Sequence, residues 1–282
     1  MHLFTLPLSL LLLLGAPAGP PAPQEHSVPI IEHGPRDSKK VALTFDACRT
    51  SLPDEYDEQV IDVLVREKVQ ATIFISGKWA DREREKTKYL ASLPQFEIGN
   101  HAYWHPHLLE KDDARVLDEL RRTQVLLKKL TGKTPKYFRA PYGEVDQRIA
   151  KLAAKLGLTT IQYDLASGDP DPKLSVGRIE RVVLRDARGG SIIVFHANRH
   201  GVHTAEVLPV IISGLRKKGY ELVTVGELLA SKDTGTKPSS KPKGGGKRRG
   251  KQVGKTVSEA TASGGAPGSR PSDLAPAHQG RE

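Results

Sequence analysis

A chain of 282 residues with 38% apolar side chains is long enough to bury a sizeable core, and it carries a net charge of +10. The charge is uneven: residues 232–282 hold 11 Lys/Arg against 4 Asp/Glu, a net +7, which leaves +3 for everything before them. The basic balance therefore belongs to a tail, and the body gives no ground for a nucleic-acid surface. A single cysteine, Cys48, excludes an internal disulfide framework.

From the N terminus, the apolar run Leu3 to Leu14 has the length of an export-signal core and is too short to span a bilayer. Ala16-Pro17-Ala18 follows as an A-x-A cleavage pattern. Residues 1–18 read as a signal peptide, and the protein as secreted, periplasmic or envelope-associated. An uncleaved anchor is the rival reading, because the segment before the run has His2 but no Lys or Arg. Residues 19–38, rich in Pro and polar groups, read as a linker.

Between residues 39 and 230 strand and helix patterns alternate. Apolar, often β-branched runs at 41–46, 71–76, 96–101, 137–140, 159–164, 191–196 and 221–225 predict strands. Helical periodicity fills 56–68, 113–130, 143–156 and 205–218, with Val60, Ile61, Leu64 and Val65 on one face of the first. Such alternation predicts one α/β domain, a closed or nearly closed parallel barrel with helices outside. Neither GxGxxG nor a Walker loop opens a helix, so nucleotide binding has no support. Residues 231–282, with TKPSSKPKGGGKRRGKQVGK near their start, have too few apolar side chains for a core and read as a disordered tail. That tail is suited to weak attraction towards anionic polymers, or to no partner at all. Its lack of interleaved aromatics argues against nucleic acid.

Parallel barrels carry their sites at the C-terminal ends of their strands. Those ends carry Asp46, His101, Arg139, Asp164 with Asp169, and His196. In GNHAYWHPH, His101 and His105 share a face if the backbone makes a helical turn, and two imidazoles so placed can grip a Zn²⁺-like ion. On spacing alone, a polar loop with satisfied histidines is an equal reading. His107 falls off that face and reads as peripheral. Cys48 lacks a base–orienter pair and reads as structural.

Taken in order, these motifs resemble the NodB-homology polysaccharide deacetylases, carbohydrate esterase family four. Thr44-Phe45-Asp46-Ala47 is similar to the family's TFDD, and His101-Ala102-Tyr103-Trp104-His105 to its His-x₃-His. Arg139-Ala140-Pro141-Tyr142 matches R-x-P-Y; Ser167-Gly168-Asp169-Pro170 matches the fourth motif loosely; Ile193-Val194-Phe195-His196 resembles the fifth. The resemblance implies a distorted (β/α)₇-type barrel and a metal-dependent deacetylase of N-acetylated glycan, either peptidoglycan or a chitin-like polymer. It implies Asp46 as general base, His196 as general acid, and Arg139 as the group holding Asp46. Asp169 would pair with that Arg and tune His196, and the Tyr142 N–H would serve the oxyanion. His101 and His105 would be two of three ligands to a divalent metal, Zn²⁺ or Co²⁺. The substrate partner would be an acetylated glycan polymer, and the protein a monomer.

The match fails at position 47, where Ala replaces the third metal ligand. Asp57, Asp54 and His107 are the nearest candidates to replace it. The other outcomes are water as a weaker ligand, or a silent glycan-binding protein. Pro170 stands where the family has Trp, removing an aromatic wall that Trp104 or Trp79 would have to supply, and Val194 stands for the usual Leu. An O-acetyl esterase on a xylan-type polymer is a variant of the same chemistry.

Overall fold

The computed structural model describes residues 27–48 and 56–230. The predicted signal peptide and basic tail lie outside the described residues. In chain order the elements are β1 (Ile30–Ile31), β2 (Lys40–Ala47), α1 (Glu58–Arg66), β3 (Ala71–Ile75), α2 (Gly77–Arg82), α3 (Arg84–Ser92), β4 (Phe96–Asn100) and α4 (Asp113–Thr131). Then come β5 (Tyr137–Phe138), α5 (Gln147–Lys155), β6 (Thr159–Ile161), β7 (Leu165–Ala166), α6 (Val176–Asp186), β8 (Ile192–His196), α7 (Thr204–Lys217), β9 (Glu221–Leu222) and α8 (Val225–Ala230).

Every strand ladder is parallel, in the order β1-β6-β5-β4-β3-β2-β8-β7, with β9 added to the start of β2. The sheet curls. An antiparallel bridge from His33 to Ser191 returns the segment after β1 to the start of β8. The result is the barrel-like α/β domain the alternation predicts, open where β7 and β1 end the sheet rather than fully closed.

Strand β2 shows why the sheet is buried on both faces. Val41, Leu43 and Phe45 join the helices through Val60, Ile61, Leu64, Leu208 and Ile211. Ala42 faces the interior with Phe74, Ile161, Ile192 and Leu228. Near-continuous apolar strands are what a helix-covered parallel sheet requires. Each fully buried Leu, Ile or Phe contributes roughly 1.5–3 kcal/mol relative to exposure. Helix starts are fixed by side-chain caps: Asp57 accepts from Val60 N–H, Ser76 from Trp79, Asp112 from Arg115 and Asp146 from Ile149.

Three sequence expectations change. The linker is shorter than residues 19–38, because Ile30 and Ile31 pair with Thr160 and Ile161 of β6. The strand predicted over 159–164 stops at Ile161. Asp164 then turns away from the rim: Arg36 stands 2.7 Å from its Oδ2, and Ile192 N–H donates to Oδ1. Helices α2 and α3 carry few apolar residues and escape periodicity, whereas α6 has a clear apolar face through Ile179 and Val183 yet stands outside the predicted helices; each lies in a strand-to-strand crossover.

Candidate active site

The ladder registers bring the polar residues together. β2 and β8 run abreast with Asp46 opposite His196, so two strand ends deliver a carboxylate and an imidazole side by side. β4 and β5 pair Asn100 with Phe138, so the next residues, His101 and Arg139, leave the sheet as neighbours. Arg139, fully buried, donates from Nη1 to Asp46 Oδ1 at 2.9 Å. The other carboxylate oxygen lies 3.8 Å from His101 Nε2. Burial works against the Asp46 charge, but Arg139, then His101 and His196, outweigh it and hold the carboxyl below its usual range.

His101 Nδ1–H donates to the Arg139 carbonyl at 2.9 Å. A carbonyl only accepts, so this bond fixes the tautomer and leaves a lone pair on Nε2. His105 lies beside it, ring centroids 4.8 Å apart. Burial, then the neighbouring His101, lowers the His105 pKa to about 3, and burial lowers that of His101 too. Both imidazoles are therefore neutral, the form that binds a metal. The helical turn that would have put both on one helix face is absent. Ala102 and His105 instead adopt left-handed backbone, with φ of 58° and 59°. That region costs a non-glycine residue roughly 1–2 kcal/mol, and such strain concentrates at functional sites.

On the far side, His196 Nδ1–H donates to Asp169 Oδ1 at 3.0 Å, and its backbone N–H to Oδ2 at 2.8 Å. Ser167 and Thr204 hydroxyls donate to the same carboxylate at 2.8 and 2.5 Å. Burial disfavours the imidazolium, but Asp169 outweighs it and raises the His196 pKa; Asp169 itself is held low by His196 and its other donors despite burial. One expectation is corrected here. Asp169 does not pair with Arg139; its oxygens are taken by His196, Ser167 and Thr204, and Arg139 pairs with Asp46.

Tyr142 sits in a short 3₁₀ turn with φ 59°. Its ring is exposed at the mouth, stacked on His107 at 4.1 Å and 10°, with the His105 ring edge-on at 4.5 Å. His107 Nδ1–H donates to Glu144 and braces the rim. The groups around it enclose a cavity of about 220 Å³, which His107 itself does not line and to which Cys48, Tyr163, Val194, Pro170 and His200 also contribute. Sequence reading missed His200, whose ring lies edge-on to His196 at 5.1 Å. The C-terminal loop after β8 was the signal that could have found it. Trp79 is buried in the core and Trp104 packs under Lys78 outside, so neither supplies the missing wall.

Asp57 is not brought to the cavity. Its carboxylate caps α1, and it lines a separate surface hollow with Lys86 and Arg199. Asp54 lies outside the described residues. Ala47 is fully buried in the sheet–helix core. The two imidazoles fit a divalent ion, but among the described residues no three His, Cys, Asp or Glu side chains form a ready ligand set.

Parallel sheet, rim carboxylate and imidazole pairs define a hydrolase site of the carbohydrate-esterase type. The polysaccharide deacetylase family pattern matches residues 33–161. A peptidoglycan-N-acetylglucosamine deacetylase of Bacillus cereus is 31% identical over 195 residues, covering 68% of this chain and 69% of that one. The chain spans 54% and 40% of two further curated relatives. Among solved structures, BA3943 of Bacillus anthracis, described as a CE4 family pseudoenzyme, superposes with a TM-score of 0.65 at 25% identity over 72% of this chain and 69% of its own. A mutant of it is described as having restored enzymatic activity. The Bc1960 peptidoglycan N-acetylglucosamine deacetylase superposes at 0.66 and 28% identity, over 72% of this chain and 94% of its own. The chain belongs to the polysaccharide deacetylase family, carbohydrate esterase family four.

Proposed function

We propose that the protein removes acetyl groups from an N-acetylated glycan, with peptidoglycan as the first candidate. The observation that carries this reading is the pairing across β2 and β8: Asp46, bonded to Arg139, stands directly opposite His196, whose proton affinity Asp169 raises. Two groups whose surroundings drive their proton affinities apart are suited to be base and acid. Asp46 takes the proton of the attacking water, and His196 delivers one to the departing amine. The Tyr142 N–H donates to the oxygen that gains charge in the tetrahedral intermediate. Arg139 fixes Asp46, and Asp169 fixes the His196 ring. When bound by His101 and His105, a divalent ion, Zn²⁺ or Co²⁺, supplies Lewis-acid polarisation and an acidified water. Export by residues 1–18, weak salt-sensitive attraction of the basic tail to anionic envelope polymers, and a monomeric state complete the reading.

Ala47 and the likeness to a pseudoenzyme favour a second reading, a glycan-binding protein that keeps the fold without turnover. Acetate release from peptidoglycan and from oligo-N-acetylglucosamine decides between them, measured with chelator and after Zn²⁺ or Co²⁺ addition. Release restored by metal is the expected result. Retained glycan binding with no release under any metal would sink the enzyme reading.

A further inference from the structure

The loop that presents His101 and His105 is held from outside the cavity by a residue the reaction does not use. Glu119 lies on α4 with its side chain fully buried. Its Oε2 accepts from the Tyr103 N–H at 2.8 Å and from the Trp104 N–H at 2.7 Å. Arg115 Nη2 stands 2.7 Å from Oε1 as an ion-pair partner on the solvent side. The residues bonded are the two immediately before His105, between the left-handed positions Ala102 and His105.

The rest of the loop is held by backbone and by Asn100. His101 N–H donates to Ile75, and Ala102 N–H to Asn100 Oδ1. The carbonyls of Ala102 and Tyr103 accept from Gly77 and Lys78, the first residues of α2. Tyr103 packs so close over Gly77 that any Cβ there would clash with its ring. Without Glu119, the Tyr103 and Trp104 N–H groups lose their acceptor, and the left-handed turn that aims His105 at His101 loses its anchor. Consecutive N–H groups converging on an anion form the kind of concavity that backbone adopts around a bound charge. Here the anion is built into the fold.

We propose that Glu119 is a positioning residue for the His101–His105 pair, acting through the backbone of residues 103 and 104. The inference rests on the reading of that pair as the metal-holding imidazoles, and its test separates the two. Full-length Glu119→Ala, Glu119→Asp and Glu119→Gln are compared with wild type by Co²⁺ titration calorimetry. The imidazole ¹⁵N spectra of His101 and His105 are recorded in the metal-free proteins. Gln keeps a carbonyl oxygen of the same reach, so Glu119→Gln should stay within a few-fold of wild type. Ala removes the acceptor and Asp shortens it, so both should weaken Co²⁺ binding by roughly 10–100-fold, the usual effect of losing an outer partner of a metal ligand. Both should also blur the single His101 tautomer while leaving His196 signals unchanged. A folded Glu119→Ala or Glu119→Asp protein with wild-type Co²⁺ affinity and unchanged His101 and His105 spectra overturns the proposal. Should wild type bind no Co²⁺, the metal reading falls, and the ring spectra alone decide on Glu119. Should Glu119→Ala fail to fold, Glu119→Asp against Glu119→Gln carries the same comparison.

Discussion

The two halves of the cavity reach one rim by different means. On the β8 side, His196 is held by a carboxylate whose oxygens are all engaged, by His196 itself, Ser167 and Thr204. On the β2 and β4 side, two imidazoles stand ready beside a carboxylate, but the place of a second carboxylate is Ala47. On the proposed function, the half that donates a proton is complete, and the half that would hold a metal is short of one ligand. A site can therefore keep its electrostatic order while losing one donor. The order comes from ladder register and buried ion pairs, whereas a ligand is a single side chain.

The largest effect expected from either half comes from Arg139. It is buried and is the ion-pair partner of Asp46. Arg139→Ala leaves the carboxylate buried without a counter-charge, and breaking such a pair costs about 3–5 kcal/mol. The Asp46 pKa is depressed in the fold, so the stability it contributes is present above the unfolded value, roughly 3.9, and is lost as pH falls through the folded one. In Arg139→Ala burial is opposed only by His101 and His196, so the Asp46 carboxyl is less depressed and that acid-side loss should shrink. Urea unfolding followed from pH 3 to 7 measures both effects; unchanged stability at neutral pH would contradict the buried pair.

The complete half is tested by Asp169→Asn. The carboxylate raises the His196 pKa, so the stability from that pair is present below the unfolded histidine value, roughly 6.5, and is lost as pH rises through the folded one. With Asn, only Asp46 is left to oppose burial and Arg139, and the His196 pKa should fall. Proton NMR of the His196 ring gives that pKa directly. Losing a positioned general acid should lower turnover by roughly 10²–10⁴-fold, with the alkaline limb moved to lower pH. A His196 titration unmoved by the substitution would show that Asp169 does not set its charge.

The incomplete half is tested by Ala47→Asp. By the family pattern a carboxylate at position 47 would complete the His101–His105 set, and it should tighten Zn²⁺ binding by a factor of about ten or more, that is by at least roughly 1.4 kcal/mol. Calorimetry on both proteins checks it. Equal affinity would mean that the wild-type site already holds a third ligand, and the contrast between the two halves would vanish.

How much of this was legible from sequence follows the same division. Asp46, His101, Arg139 and His196 stand at strand ends, where apolar runs stop, and period and motif order find them. Asp164 also stands after a predicted strand, yet it faces Arg36 and Ser191, because β6 ends three residues earlier than its apolar pattern suggests. The left-handed turns at Ala102, His105 and Tyr142 carry no glycine to announce them. Beside His105 the loop is held by Glu119, which accepts from the Tyr103 and Trp104 N–H groups and which no local pattern connects to the loop. Ile30 and Ile31 sit in a Pro-rich stretch that reads as linker, and only the long-range pairing with β6 makes them a strand.

The smallest expected effect concerns Asp57, one of the candidates nearest in sequence to replace the missing ligand. Its Oδ1 accepts from Val60 N–H at 3.2 Å and caps α1. Replacing an Asp cap by Ala costs about 1 kcal/mol. Asp57→Ala should therefore lose that much stability in urea unfolding, with metal affinity and acetate release unchanged once the protein is folded. A cap and a ligand make opposite demands on the carboxylate: one aims it back at its own helix, the other out towards the rim. Abolished metal binding in a folded Asp57→Ala protein would mean that the carboxylate leaves the helix when an ion arrives. The β2 side would then be as complete as the β8 side.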